Sequence, residues 1–310
     1  MKINKMVLGV FLIVITLSCS SQEDLVPGVY ELKEGLSAPL VTPVWSPSGD
    51  HIVASYITYT DHRSIIYDFD LTARKSRVLL SIEGEAVAQS WSRDESYLAV
   101  AISSSITFSD DGIWVFNVAD GSNEYVGPGE AASWSPEGDL LAIYSCKQLS
   151  DGNSTIATVR LVNLSQKEDE VLFDENSCFK LSYMSWSPDN KNIAFSFSED
   201  KVTEKPLDQI FVIDLPTKTV TKILGEGSWS PSFSPDGEKV VFVKNDALRI
   251  SDKTGTCQIG VEDLGVDIIG DVSWSPDGKK WAISGLGKIY IIDVEQVMGK
   301  EFLQVNSVCQ

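Results

Sequence analysis

Histidine is nearly absent from this chain: only His51 and His62 occur. A metal centre built from imidazoles needs more ligands than these two supply. His51 directly follows a turn and reads as the surface start of a strand, while His62 falls in the loop Thr60-Asp61-His62-Arg63. No Gly-x-Ser-x-Gly elbow, phosphate-binding loop or dinucleotide fingerprint is present. No Cys-x-x-Cys pair occurs, which excludes thiol-redox and zinc-knuckle chemistry. Basic residues are scarce: 25 Lys and Arg stand against 44 Asp and Glu, a formal charge of −19. Such a chain repels phosphate backbones, so nucleic acid is excluded as a partner. The many acids offer carboxylate pairs for acid–base work, but the sequence singles none out.

What the chain does have is a repeat. Six times an aromatic residue is followed by Ser and turn residues: Trp45-Ser46-Pro47-Ser48-Gly49, Trp91-Ser92-Arg93-Asp94-Glu95, Trp134-Ser135-Pro136-Glu137-Gly138, Trp186-Ser187-Pro188-Asp189-Asn190, Phe233-Ser234-Pro235-Asp236-Gly237 and Trp274-Ser275-Pro276-Asp277-Gly278. The aromatics lie 46, 43, 52, 47 and 41 residues apart. A period of this length, built from short strands, predicts an all-β, six-bladed β-propeller with four antiparallel strands per blade.

Each unit repeats one order. Pro fixes φ, Asp bonds nearby backbone and Gly takes positive φ in the turn. A small-apolar second strand follows, such as Tyr97-Leu98-Ala99-Val100-Ala101, then a third strand rich in β-branched residues. The third strands end in Asp70, Asn117, Asn163, Asp214, Asp252 and Asp293, read as caps for the next turn. The residue before each aromatic is Val44, Ser90, Ser133, Ser185, Ser232 or Ser273. A small side chain there lets neighbouring blades approach while the aromatic fills the space between them; the alternative is a ring of hydroxyls lining a ligand channel. Unit four carries Asn190 in the Gly position. Unit two, with neither Pro nor Gly, is expected to turn differently. Unit five offers a second Trp-Ser-Pro at Trp229, but only Phe233 is followed by Asp-Gly and a strand.

The repeated Trp-Ser-Pro-Asp-Gly turn, small-apolar second strand and third strand ending in Asp resemble the TolB-like, WD-like propeller repeat over about residues 35–305. The resemblance implies the propeller fold. It leaves function open, because such repeats occur in binding propellers, in propeller domains of prolyl oligopeptidases and in sugar-cleaving enzymes. The likeness to TolB stops at the propeller: no mixed α/β domain precedes it here, and no hydrolase domain accompanies it.

Residues 1–18 read as a signal peptide. Lys2 and Lys5 form its basic start, and Met6–Leu17 is an apolar run of 12 residues, too short to span a bilayer comfortably. Thr16-Leu17-Ser18-Cys19 resembles a bacterial lipoprotein cleavage site, with Cys19 as the lipidated residue. Residues 19–34 then form a tether, and residues 35–310 the propeller. Val29-Tyr30-Glu31-Leu32 or Phe302–Val305 supplies the strand that closes the ring. Four further cysteines belong to an exported, oxidised chain, with Cys146–Cys178 and Cys257–Cys309 as the expected pairings.

The connections between second and third strands, and from each fourth strand to the next unit, share one rim of a propeller. In units one to four these loops are long and acidic, with Asp61, Asp110, Asp111, Asp151, Asp200 and Asp208. Incoming connections add others, including Glu83, Glu130 and Asp271. This rim is the expected recognition face. The expected function is a non-enzymatic binding or scaffolding module, lipid-anchored at the cell envelope, with another envelope protein as partner and no cofactor. The alternative is a propeller-class enzyme, glycan-active or peptidase-related, with its site in the channel mouth. Calcium at Asp110, Asp111 and Asp151 is a subsidiary expectation, resting on oxygen ligands in turns.

Overall fold

The structure, a computed structural model, describes residues 15–16, 29–32, 40–58, 62–103, 111–148, 155–175, 183–198, 208–261, 264, 266, 270–285 and 287–299. Six four-stranded antiparallel sheets follow one another in the order the repeat predicts. Blade 1 comprises Leu40–Trp45, His51–Thr58, Arg63–Asp70 and Lys75–Glu83. Blade 2 comprises Glu85–Trp91, Tyr97–Ser103, Gly112–Asn117 and Asn123–Gly127. Blade 3 comprises Ala131–Trp134, Leu141–Gln148, Thr155–Asn163 and Glu168–Glu175. Blade 4 comprises Met184–Trp186, Asn192–Ser198, Asp208–Asp214 and Thr219–Leu224. Blade 5 comprises Ser228–Phe233, Lys239–Lys244, Ala247–Asp252 and Gln258–Gly260. Blade 6 comprises Val272–Trp274, Lys280–Gly285 and Lys288–Asp293, with Val29–Leu32 as its outer strand. The amino-terminal segment therefore closes the ring, pairing Val29 with Ile292 and Leu32 with Ile289. Residues 302–305 lie outside the described residues. A two-residue strand, Ile15–Thr16, adds to the outer edge of blade 1.

The turn serines explain why the motif recurs. Ser46, Ser92, Ser135, Ser187, Ser234 and Ser275 are all buried. The Ser275 hydroxyl donates to Asp277 at 2.7 Å and accepts the Lys280 N–H at 2.9 Å, locking turn and second strand together. Ser187 and Ser92 do the same with Asp189 and Asn192, and with Asp94 and Tyr97. These hydroxyls hold the Asp94 and Asp189 carboxyls below the usual carboxylate range.

Unit two does not turn differently. Glu95 takes the Gly position at φ 60°, and its N–H closes the same bond to the Ser92 carbonyl. Where Gly is replaced, the side chain reaches back to the preceding blade. Glu95 accepts the Ser48 N–H at 2.6 Å, and Asn190 accepts that of Glu137 at 3.4 Å. These contacts offset the cost of a left-handed non-glycine residue. The predicted third-strand caps are present at five blades, where Asp70, Asn117, Asn163, Asp214 and Asp252 each accept a backbone N–H from the turn into the fourth strand; Asp293 instead caps a short helix, Val294–Met298.

Each of the six blade interfaces holds its own apolar core. The motif aromatic packs against the preceding blade, as Trp91 does against Val53 and Ile66, and Trp274 against Val241 and Ile250. Each interface is also crossed by a hydrogen bond to an inner strand, from the neighbouring inner strand at five interfaces and from the second strand of blade 1 at the sixth. Ser90, Ser185 and Ser232 accept the N–H of Trp134, Phe233 and Trp274 in the next blade. Ser273 donates to the Pro43 carbonyl, Ser55 accepts from Ala88, and the Trp186 indole donates to the Ser133 carbonyl. The serines before the aromatics thus engage neighbouring backbone as well as allowing close approach.

Cys146 and Cys257 are both disulfide-bonded. Cys146 lies within the second strand of blade 3, opposite Ala157, rather than in the loop beyond it. Cys19, Cys178 and Cys309 lie outside the described residues.

Replacing Ser275 with Ala removes two part-buried hydrogen bonds and should cost about 1–3 kcal/mol in urea unfolding. Deleting residues 29–32 should leave an open sheet edge on Lys288–Asp293 and convert the chain to self-associating species in light scattering.

Candidate functional site in the axial channel

Along an inner strand without a bulge, residues one and three before the aromatic share a face, because strand side chains alternate; bulges interrupt this in blades 1, 2 and 5. The position three before the aromatic is Thr42, Tyr183, Ser230 and Asp271 in blades 1, 4, 5 and 6, while Ala88 and Ala131 in blades 2 and 3 join the interface cores. Asp271 of blade 6 takes side-chain hydrogen bonds from Thr42 of blade 1 and Ser230 of blade 5, and its charge reaches Tyr183 of blade 4. Residues from four blades meet this way only around the axis. Because each inner strand runs toward its short turn, this level lies on the long-loop side of the channel.

Asp271 is held there by its backbone. Its N–H donates to the Ser284 hydroxyl at 2.8 Å. Gly270 admits that approach, since a Cβ there would lie 1.8 Å from the same hydroxyl. Thr42 and Ser230, both buried, sit at positive φ beside bulges in the inner strands of blades 1 and 5. Bulges of this kind re-aim side chains. Although the residue as a whole is only half-buried, desolvation of its carboxyl lifts Asp271 from 3.8 to about 6, and the two hydroxyls only partly counter it. Burial and the Asp271 charge push the Tyr183 phenol above its ordinary range.

Toward the short turns the channel widens to about 370 Å³. Its mouth is ringed by Pro47, Pro136, Pro188, Pro235 and Pro276, with Arg93 in the sixth place. The channel therefore has a carboxylate at one level and a guanidinium at its other mouth.

Of the six rim acids on the long loops between second and third strands, the structure describes Asp111, which is exposed, and Asp208, which begins a strand of blade 4. Asp61, Asp110, Asp151 and Asp200 lie outside the described residues, so the calcium expectation at Asp110 and Asp151 does too. Glu83 pairs with Arg63 at 3.2 Å. His51 begins a strand as expected, but its Nδ1 meets the buried Asp68 at 2.8 Å, and Arg77 holds the other Asp68 oxygen at 2.8 Å. Among the described residues no group of three or more His, Cys, Asp or Glu could hold a metal ion. No described helix is long and apolar enough to cross a membrane.

No protein-family profile matches the chain. Solved structures share its fold. A chain assigned as TolB from Agrobacterium tumefaciens superposes with a TM-score of 0.59 at 17% identity, covering 83% of this chain and 91% of that one. Oligogalacturonate lyase from Vibrio parahaemolyticus gives 0.58 at 11% identity, covering 91% and 98%. An auxiliary nutrient binding protein from Bacteroides thetaiotaomicron gives 0.59 at 12% identity, covering 82% and 69%. At these identities the likeness establishes the six-bladed propeller and nothing finer.

The raised Asp271 carboxyl has a thermodynamic consequence. The folded chain binds this proton more tightly than the unfolded chain, so Asp271 lowers stability above pH about 6 and ceases to do so near pH 4. Asp271→Asn should therefore stabilise the protein by about 1–2 kcal/mol at pH 8, with the gain vanishing near pH 4. Chemical unfolding at both pH values checks this; an equal effect at each would refute it.

Proposed function

We propose that this chain is a non-enzymatic binding or scaffolding propeller of the cell envelope, and that it takes a cationic group of a partner protein at the long-loop mouth of its channel. The observation that carries this reading is Asp271. A carboxylate destabilised by burial, yet fixed by Thr42, Ser230 and Ser284, is a group whose charge a ligand can compensate. The acids of the long loops, Asp61, Asp110, Asp111, Asp151, Asp200 and Asp208, would draw positive charge toward the same mouth. A protonated amine or guanidinium entering the channel would compensate the Asp271 charge and gain a charge-assisted hydrogen bond.

The envelope location rests on the amino-terminal sequence and on oxidised cysteines. Lys2, Lys5 and the apolar run to Leu17 read as an export signal, with Cys19 as the lipid attachment point. Disulfide bonds at Cys146 and Cys257 fit an oxidising compartment. Fold likeness to both a nutrient binding protein and a lyase supports neither class over the other.

Crosslinking in intact cells, followed by capture through a carboxy-terminal tag, tests the reading. The partner band should fall at least about tenfold for Asp271→Asn and for joint reversal of Asp110, Asp111 and Asp151, a loss of about 1.4 kcal/mol or more. Undiminished capture by both variants overturns the long-loop mouth as the docking surface. Cleavage of oligogalacturonate by the purified chain overturns the non-enzymatic assignment. Cys19→Ala should move the protein from the membrane fraction to the soluble fraction.

A further inference from the structure

The repeat provides its own internal comparison. On the short-turn rim, the groove between blades 2 and 3 and the groove between blades 4 and 5 are built from equivalent positions, yet their volumes are about 820 and 310 Å³. In the smaller groove Lys253 binds Glu238 at 2.9 Å, and Lys239 binds Asp236 at 3.4 Å. The groove is thereby filled and neutralised. In the larger one the equivalents of those lysines are Leu164 and Leu140. Asp139 falls back on the Ser135 hydroxyl of its own turn. Glu137 and Glu124 have no side-chain partner among the described residues.

Two more positions differ. Arg93 stands where the smaller groove has Pro188, and Tyr97, 40% exposed, stands where it has Asn192. The fold does not require Arg93, because the other five units carry Pro there and the turn backbone is the same. Its Cβ side packs toward Gly138, and its guanidinium forms no ion pair among the described residues.

We propose that the groove between blades 2 and 3 is a second recognition site, taking a short extended peptide that presents a carboxylate to Arg93, a basic side chain to Glu137 and Glu124, and an apolar side chain to Tyr97 and Trp134. The volume lies within the range of specific ligand sites. Both signs of charge stand unpaired in it. A purely anionic ligand would meet Asp94, Glu124, Glu137 and Asp139, and a purely cationic one would meet Arg93. A ligand with both charges and an apolar residue satisfies all of them. The site is on the opposite rim from Asp271, so it stands or falls apart from the function proposed above.

The test is selection from a bead-bound library of random hexapeptides with free carboxyl termini, using the full chain with disulfides intact. Enriched sequences should combine a basic and an apolar residue, and amidation of their carboxylates should weaken binding about tenfold. Arg93→Gln should erase the carboxylate requirement. Leu164→Lys, which recreates opposite Asp139 the ion pair of the smaller groove, should abolish enrichment while leaving the melting curve unchanged. Should Leu164→Lys not fold, Tyr97→Ala replaces it as the groove variant. No enrichment by the wild-type chain, or the same enrichment by the folded variants, overturns the proposal. Binding on a glycan array that disappears with Tyr97→Ala assigns the groove to carbohydrate and overturns the peptide reading.

Discussion

A serine hydroxyl placed where two backbone segments meet is the interaction on which this ring depends. It is small enough to be buried, and it both donates and accepts. At the turn it joins the aspartate to the opening of the second strand; one residue before the aromatic it joins one blade to the next. Apolar burial supplies most of the attraction between blades, but that attraction has no direction. Hydrogen bonds across all six interfaces set the stagger of each inner strand against the neighbouring blade. Alanine at these positions leaves a buried N–H without an acceptor, and a larger residue separates the sheets.

Departures from the repeat mark where the molecule differs chemically from a bare scaffold. Asp271 occupies a position that holds alanine in two other blades. Asp68 stands among third-strand positions filled elsewhere by Val115, Leu161, Val212, Ile250 and Ile291, and it meets His51 and Arg77 at 2.8 Å each. Arg93 interrupts a ring of prolines. A pseudo-sixfold molecule offers six comparable sites for every residue, so a costly substitution at one of them, such as a buried carboxylate, stands out against five cheaper solutions to the same packing problem.

Blade number, blade boundaries, the choice of Phe233 over Trp229 and five of the six third-strand caps were legible in the sequence, because turn chemistry is local and was repeated. The turn at Arg93–Glu95 was misread because propensity argued against Glu at positive φ, whereas a contact 47 residues away, to Ser48, compensates it. Asp271 was legible as an acid of the incoming connections, but not as a channel group. Its partners Thr42 and Ser230 lie in other blades, and the bulges that aim them have no clear sequence mark. Ring closure was undecidable for a similar reason: Val29–Leu32 and residues 302–305 have comparable strand character, and only tertiary pairing separates them.

That closure ties the two ends of the chain into one sheet. The outer strand of blade 6 is four residues long and registers Val29 to Leu32 against Ile292 to Ile289. A pull applied to the chain at Val29 is therefore delivered straight to this clasp. The remaining blades are hairpins continuous in the chain, which can be drawn apart only after the clasp yields. Resistance to such a pull thus rests first on a single short ladder, in which Val29–Leu32 docks on a strand more than 250 residues away in the chain.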